Sequence, residues 1–257
     1  MLKGLYTAYT GLANEQNRMD ILTNNLANAS TVGYKKEGAT SQAFDDVLSY
    51  KIKDASETAN TAKRMGTLNM GVKIGENYTD FSQGSFRITG NTFDLALAGE
   101  GFFTVQFTNK NDEISTKYTR DGSFTLDKDG YLVTSDGDYV MGTRGRIRLN
   151  PLKETRFNED GMILQDGVAV AALKITDFVN YDYLEKYGEN YYQTVDGAKT
   201  KFADATVKSG YLEMANVQVV SEMVNLISIT RAYESNQKIV QAYDETMDIA
   251  VNQIGKI

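Results

Sequence analysis

The residues that could do chemistry in this chain are its carboxylates. Glu100, Asp121, Asp160, Glu185 and Glu189 are the candidates for acid–base work. A glycoside-cleaving pair needs two such groups facing each other across a cleft. Most of these lie in turn signals, which favours a structural reading. Asp127-Lys128-Asp129-Gly130 and Asp136-Gly137-Asp138 suggest calcium. Counted from Asp127, however, the sixth position is Leu132 and the twelfth is Asp138, where a helix–loop–helix calcium site needs Gly and Glu. Hairpin turns explain them better. Gly99-Glu100-Gly101 lacks the third glycine of a dinucleotide loop, and no Walker-type phosphate loop exists. The run YDYLEKYGENYY (181–192) could stack sugars or bases, or could simply pack around a helical turn near Leu184–Tyr187.

Composition excludes more than it offers. There is no Cys, His or Trp among the 257 residues. That rules out thiol nucleophiles, disulfides, Ser-His-Asp triads and His-ligated zinc. No metal or cofactor is expected. The net charge of −7 leaves no basic surplus for nucleic-acid phosphates, and Lys35-Lys36 and Arg144, Arg146, Arg148 read as solvated faces. No apolar run approaches the ~18–20 residues of a membrane-spanning helix, so no direct membrane insertion is expected. The N-terminal stretch lacks the apolar core of a cleaved secretory signal.

The elements around these residues fall into two kinds. Leu5, Leu12, Met19 and Leu26 recur every seven residues, with Ala8, Leu22 and Ala29 at a companion position. Val219, Leu226, Tyr233, Val240, Met247 and Ile254 repeat the pattern at the other end, with Met223 and Val251 as companions. Sustained heptads predict coiled-coil-like helices. The first should stop near Ser30, before Gly33. Between them, Asp-Gly pairs at 121, 129, 136, 160, 166 and 196 punctuate β-rich runs such as FFTVQF (102–107). The expected fold is therefore α+β. Long N- and C-terminal helices form a coiled-coil pair (1–35 with 211–257). A connector with a short helix at 42–53 follows (36–74), then a mostly antiparallel β domain (75–210).

The helices carry amides where a water-facing pair would carry Glu and Lys. Asn14, Gln16, Asn17, Asn24, Asn25 and Asn28 lie in the first, and Asn216, Gln218, Asn225, Asn236, Gln237, Gln241, Asn252 and Gln253 in the C-terminal stretch 214–257. Asn is a poor helix-interior residue, at roughly 0.5 kcal/mol relative to Ala. Amides suit a second packed face, because they donate and accept without the desolvation cost of charge. Plain solvent exposure is the other reading.

Several stretches in order carry a family resemblance: TGLANEQNRMDILTNNLANASTVGYKKE (10–37), FDLALAGEGFFTVQ (93–106), YTRDGSFTLDKDGYLVTSDGDYVMG (118–142), LEKYGENYY (184–192) and GYLEMANVQVVSEMVNLISITRAYESNQKIVQAYDETM (210–247). The chain resembles bacterial flagellar basal-body rod proteins, whose family also contains the hook protein. The resemblance implies a structural, non-enzymatic subunit that stacks helically into a hollow shaft transmitting motor torque. It implies export through the flagellar type III apparatus without a cleaved signal, location in the basal body outside the cytoplasmic membrane, and neighbouring rod and hook proteins as partners.

Within that family YTRDGSF and RAYESNQK look more like a distal-rod than a proximal-rod subunit. On this reading Leu5, Leu12, Met19, Leu22 and Leu26 pack against Leu226, Tyr233, Val240, Met247 and Ile254. Arg231 and Glu234 interrupt the C-terminal stripe and pair between chains, and Asn24, Asn25 and Asn28 bond neighbouring subunits. A peptidoglycan-active hydrolase and a coiled-coil-stalked adhesin or binding module are the alternatives.

Overall fold

The computed structural model describes residues 2–51, 63–109, 113–188 and 190–254. The chain divides into two compact units. One comprises residues 1–26, 37–79 and 219–257; the other comprises 27–36 and 80–218.

The first unit holds both helices, α1 (Leu2–Ala27) and α2 (Val219–Ile254). Neither contains a proline, and α2 has no glycine in 36 residues, so nothing interrupts its backbone ladder. At 1.5 Å rise per residue, α2 is about 54 Å long. Among the described residues it also holds four strands: β1 (Glu37–Ala43), β2 (Val47–Lys51), β3 (Lys63–Leu68) and β4 (Val72–Thr79). β1 pairs antiparallel with β4, and β2 with β3.

The helix expected at 42–53 is therefore a correction. Its described part is the end of β1, a loop at Phe44–Asp46, and β2; residues 52 and 53 lie outside the described residues. Long-range strand pairing supplies backbone hydrogen bonds that a short, weakly amphipathic segment cannot make alone. The connector at 36–74 is likewise strand over most of its described length.

The second unit is antiparallel β. Among the described residues its largest sheet has 10 strands: seven on the path Leu184–Tyr187, Tyr191–Thr194, Ile114–Thr119, Phe102–Thr108, Tyr139–Gly142, Leu132–Thr134, Phe124–Leu126, and Gly145–Arg146, Ile175–Phe178 and Thr200–Phe202 paired beside it. The stretch FFTVQF runs through its middle, and successive side chains point to opposite faces. Phe103 and Val105 pack with Leu95, Leu132, Val140 and Ile163. Phe102 packs instead with Phe178 and Tyr192, bordered by Phe81 and Tyr181. One strand thus organises two cores. The helical turn expected near Leu184–Tyr187 is displaced: a 3-10 turn occupies Tyr181–Tyr183, and Leu184–Tyr187 is a strand.

Asp-Gly acts as a hairpin turn at Asp166-Gly167, with φ of 51° and 80° between the paired residues Gln165 and Val168. Asp121-Gly122 acts differently. A Cβ at Gly122 would collide with the Leu95 carbonyl, so this glycine permits a close approach of backbones.

Three tyrosines in this unit resist ionisation. Burial raises the pKa of Tyr118. Burial also raises Tyr181, aided by its hydrogen bond to Asp177, and raises Tyr191, aided by its bond to Asp138. An unfolded tyrosine releases its proton near the ordinary pKa of 10.0 while the folded one holds it. The native state then binds more protons, so stability falls as pH rises above 10. Urea unfolding at rising pH should show this fall, and Tyr191→Phe should make it shallower; an unchanged slope would contradict the assignment.

Candidate assembly surfaces and a buried ion cluster

The helices of the first unit run antiparallel and meet at glycines. A Cβ on Gly4 would collide with the Tyr243 hydroxyl, and one on Gly11 would lie 2.9 Å from the Asn236 amide nitrogen. Both pairs are spaced by seven, so the large α2 residues meet gaps on α1 at the heptad repeat. Leu5, Leu12, Met19, Leu22 and Leu26 are half-buried, as are Leu226, Tyr233, Val240 and Met247; the side chain of Ile254 lies outside the described residues.

The companion row on α2 differs from expectation. Met223 and Val251 are 49% and 73% exposed. Glu222, Ile229, Asn236, Tyr243 and Ala250 take the covered positions. The reason is direction: the row one residue before Met223 and Val251, three residues after the 226–247 seam, is the one that meets Gly4 and Gly11.

A second row lies open on α2. Val220, Val224 and Ile227 are 76%, 58% and 52% exposed, at spacings of four and three. Arg231 and Glu234 continue the same row, also exposed. They do not interrupt the 226–247 seam; they extend a different face. Neither has an ion pair or side-chain hydrogen bond among the described residues.

The asparagines separate by role. Asn25 is fully buried, and its amide spans one peptide: Nδ2 donates to the Glu37 carbonyl at 2.7 Å, and the Glu37 N–H donates to Oδ1 at 2.9 Å. It imitates a strand partner at Glu37, the first residue of β1. This corrects the expectation that Asn25 faces a neighbouring subunit, because its amide is spent within the chain. Asn14, also buried, bonds the Ser41 hydroxyl of β1. Asn28 Oδ1 accepts from the Thr31 hydroxyl at 3.2 Å as the chain leaves the helix. Asn24 is exposed.

In the second unit a charged cluster lies in the interior. Lys35 Nζ donates to Glu213 Oε1 at 2.7 Å and to the Ser82 carbonyl at 2.8 Å. Arg120 Nη1 reaches Glu213 Oε2 at 3.2 Å, and its Nη2 donates to the Gly99 carbonyl at 2.7 Å. The Gly84 N–H donates to Glu213 Oε1 at 2.9 Å. Lys35 and Glu213 are both 1% exposed. Burial lowers the Lys35 pKa, and the Glu213 charge opposes that shift.

Around the cluster, the Gly33 N–H donates to the Glu213 carbonyl, and the Lys36 N–H to Asn216 Oδ1. Asn216 Nδ2 donates in turn to the Asp80 carbonyl at 2.7 Å. Three segments far apart in sequence, 33–36, 80–85 and 213–216, are thereby tied together. Gly33 has a φ of 70°, and a Cβ there would crowd the Arg120 backbone.

The carboxylates proposed for chemistry have local work. Glu100 bonds Lys201, Asp121 bonds Ser123, Glu185 accepts from Gln193, and Asp160 lies by Asn158. Burial raises the Asp121 pKa. Glu189 lies outside the described residues. Among the described residues no cluster of three acidic groups is placed to hold a metal. The sequence reading missed the Lys35–Glu213–Arg120 cluster. Its one signal was a lone glutamate set between apolar residues in GYLEMA.

Three family models match the chain. Residues 5–35 match one described as flagella basal body rod protein, and residues 96–176 one described as flagellar hook protein FlgE/F/G D1 domain. Residues 208–254 match one described as flagellar basal body rod FlgEFG protein C-terminal. Flagellar basal-body rod protein FlgG of Bacillus subtilis is 34% identical, over 98% of this chain and 99% of its own length. FlgF of Caulobacter vibrioides, also a basal-body rod protein, is 33% identical over 97% and 98%. The flagellar hook-basal body complex protein FlhO of Bacillus subtilis is 30% identical over the full length of both.

Removing one member of a buried ion cluster leaves the other charges unpaired, at a cost of about 3–5 kcal/mol. Lys35→Ala should therefore lower the urea-unfolding free energy by about 3 kcal/mol, as followed by tyrosine fluorescence. A loss below about 1 kcal/mol, the range of an exposed pair, would contradict that role.

Proposed function

This chain belongs to the flagellar basal-body rod protein family, and from that premise we propose that copies of it stack helically into a hollow axial shaft that transmits torque and passes exported subunits. It is a structural protein of the flagellar basal body and not an enzyme. The observation that carries the helical-stack reading is the second row on α2. Val220, Val224 and Ile227 leave apolar surface in water that α1 does not cover. Burying each gains on the order of 1 kcal/mol or more. A neighbouring copy in an open, head-to-tail lattice would supply the cover.

In this reading Leu5, Leu12, Met19, Leu22 and Leu26 of α1 form the seam with Leu226, Tyr233, Val240, Met247 and Ile254 of α2. The outer row faces the next copy, where Arg231 and Glu234 find their charged partners. Asn24 and Asn28 lie at the edge of that contact. Other rod and hook proteins adjoin the two ends of the stack. The chain reaches its site unfolded, through the flagellar type III apparatus. The YTRDGSF and RAYESNQK stretches favour the distal part of the rod over the proximal. No particular observation favours a hydrolase or an adhesin.

Electron microscopy of the purified protein should reveal tubes above a critical concentration; discrete globular particles at every concentration would overturn the reading. Immunogold labelling of isolated basal bodies should place the chain at the hook-proximal end of the rod. Arg231→Glu should raise the critical concentration about tenfold, which corresponds to roughly 1.4 kcal/mol, while the melting temperature of the monomer stays unchanged. Unaltered assembly in that variant would remove Arg231 from the interface.

A further inference from the structure

Arg144, Arg146 and Arg148 occupy alternate positions on and beside the hairpin formed by Tyr139–Gly142 and Gly145–Arg146. They line one wall of a cleft of about 380 Å3, and Met162 and Ala169–Ala172 line the other. All three arginines are exposed. Arg146 Nε donates to Gln106 Oε1 at 2.8 Å, and its guanidinium lies 4.1 Å from the Tyr139 ring. Arg148 Nε donates to the Asp129 carbonyl at 3.1 Å. Among the described residues none of the three has a carboxylate within ion-pair distance. In a chain of net charge −7 this is a concentrated and uncompensated positive site. Guanidinium forks bind carboxylates in pairs of hydrogen bonds.

The opposite wall offers something different. The strand Val168–Ala172 pairs with Met162–Gln165 on one side. Among the described residues its other edge is engaged only at its end, where the Thr143 N–H donates to the Ala172 carbonyl and Leu173 bridges Gly142. Val168 and Val170 project into water at 67% and 43% exposure. An open strand edge, apolar side chains and three guanidiniums together select an extended peptide that carries carboxylates next to aliphatic residues.

The chain itself contains such a segment. Asp45 and Asp46 are adjacent and exposed in the loop before β2, and Val47 and Leu48 follow at 50% and 43% exposure. Asp46 has one weak contact, from Asn69 Nδ2 at 3.4 Å. Among the described residues β2 pairs only with β3, which leaves its other edge open to a further strand. The geometry points to the arginine cleft as the dock for the Asp45–Leu48 segment of a second copy. This rests on the stacking reading and sharpens it. Each copy carries both halves of the contact, so the contact can be repeated head-to-tail from copy to copy, as an open stack requires. It also offsets the repulsion between copies of the same net charge.

The test is a charge swap in the full chain, read as the critical concentration for sedimentable polymer. Arg144→Glu with Arg148→Glu, and separately Asp45→Lys with Asp46→Lys, should each raise it about tenfold. All four substitutions together should bring it back toward the wild-type value, and circular dichroism melts serve as the folding control. Should the double arginine variant misfold, Arg144→Glu alone decides, because Arg144 makes no bond within the chain among the described residues. Polymerisation unaffected by arginine reversal, or a fourfold variant no better than the weaker of its parents, would overturn the dock while the stacking reading stands. A wild-type chain that never polymerises would overturn both.

Discussion

The carboxylate of Glu213 is the point on which the second unit depends. It takes a lysine, an arginine and a backbone N–H in a place closed to water, and its own carbonyl receives the Gly33 N–H. Hydrophobic contact is not directional and would let these segments slide. A buried charge is different, because any misplacement leaves it without partners at a cost of several kcal/mol. The cluster therefore fixes the mutual register of the entering segment 33–36, the returning segment 80–85 and the departing segment 213–216. The two aromatic and aliphatic cores on either side of Phe102 and Phe103 then pack within a frame already set.

The first unit is built on the opposite principle. Its helices meet along a repeat of seven, with Gly4 and Gly11 opposite Tyr243 and Asn236, yet α2 keeps a further apolar row in solvent. A seam between two helices gains little beyond the entropy of ordering them. One unit thus has its core complete in a single chain, and the other leaves an apolar helix row uncovered. That asymmetry is what the proposed stacking of copies requires.

The sequence made the helices and the β insert legible because each has an uninterrupted period: sevens at both ends, alternation and Asp-Gly between. It misplaced 42–53 because a short apolar pattern does not distinguish a helix from a strand, and the partners that decide, β3 and β4, lie further along the chain. It chose the wrong companion row on α2 because a heptad has two neighbours, and only the glycines of α1 select between them. It read Asn25 as an outward-facing amide, since nothing local reveals that Glu37 returns to meet it. It could not find the Glu213 cluster, whose members are separated by 178 and 93 positions.

The central claim is that the core of the β unit is finished in the monomer, whereas the helical unit is ordered by neighbours. Hydrogen exchange of the full chain, dilute and polymerised, tests it in one experiment. The account predicts strong protection of Phe102–Thr108 in both samples, and protection across Val219–Ile254 that is weak in the dilute chain and rises on polymerisation. Full protection of Val219–Ile254 in the dilute monomer would contradict it.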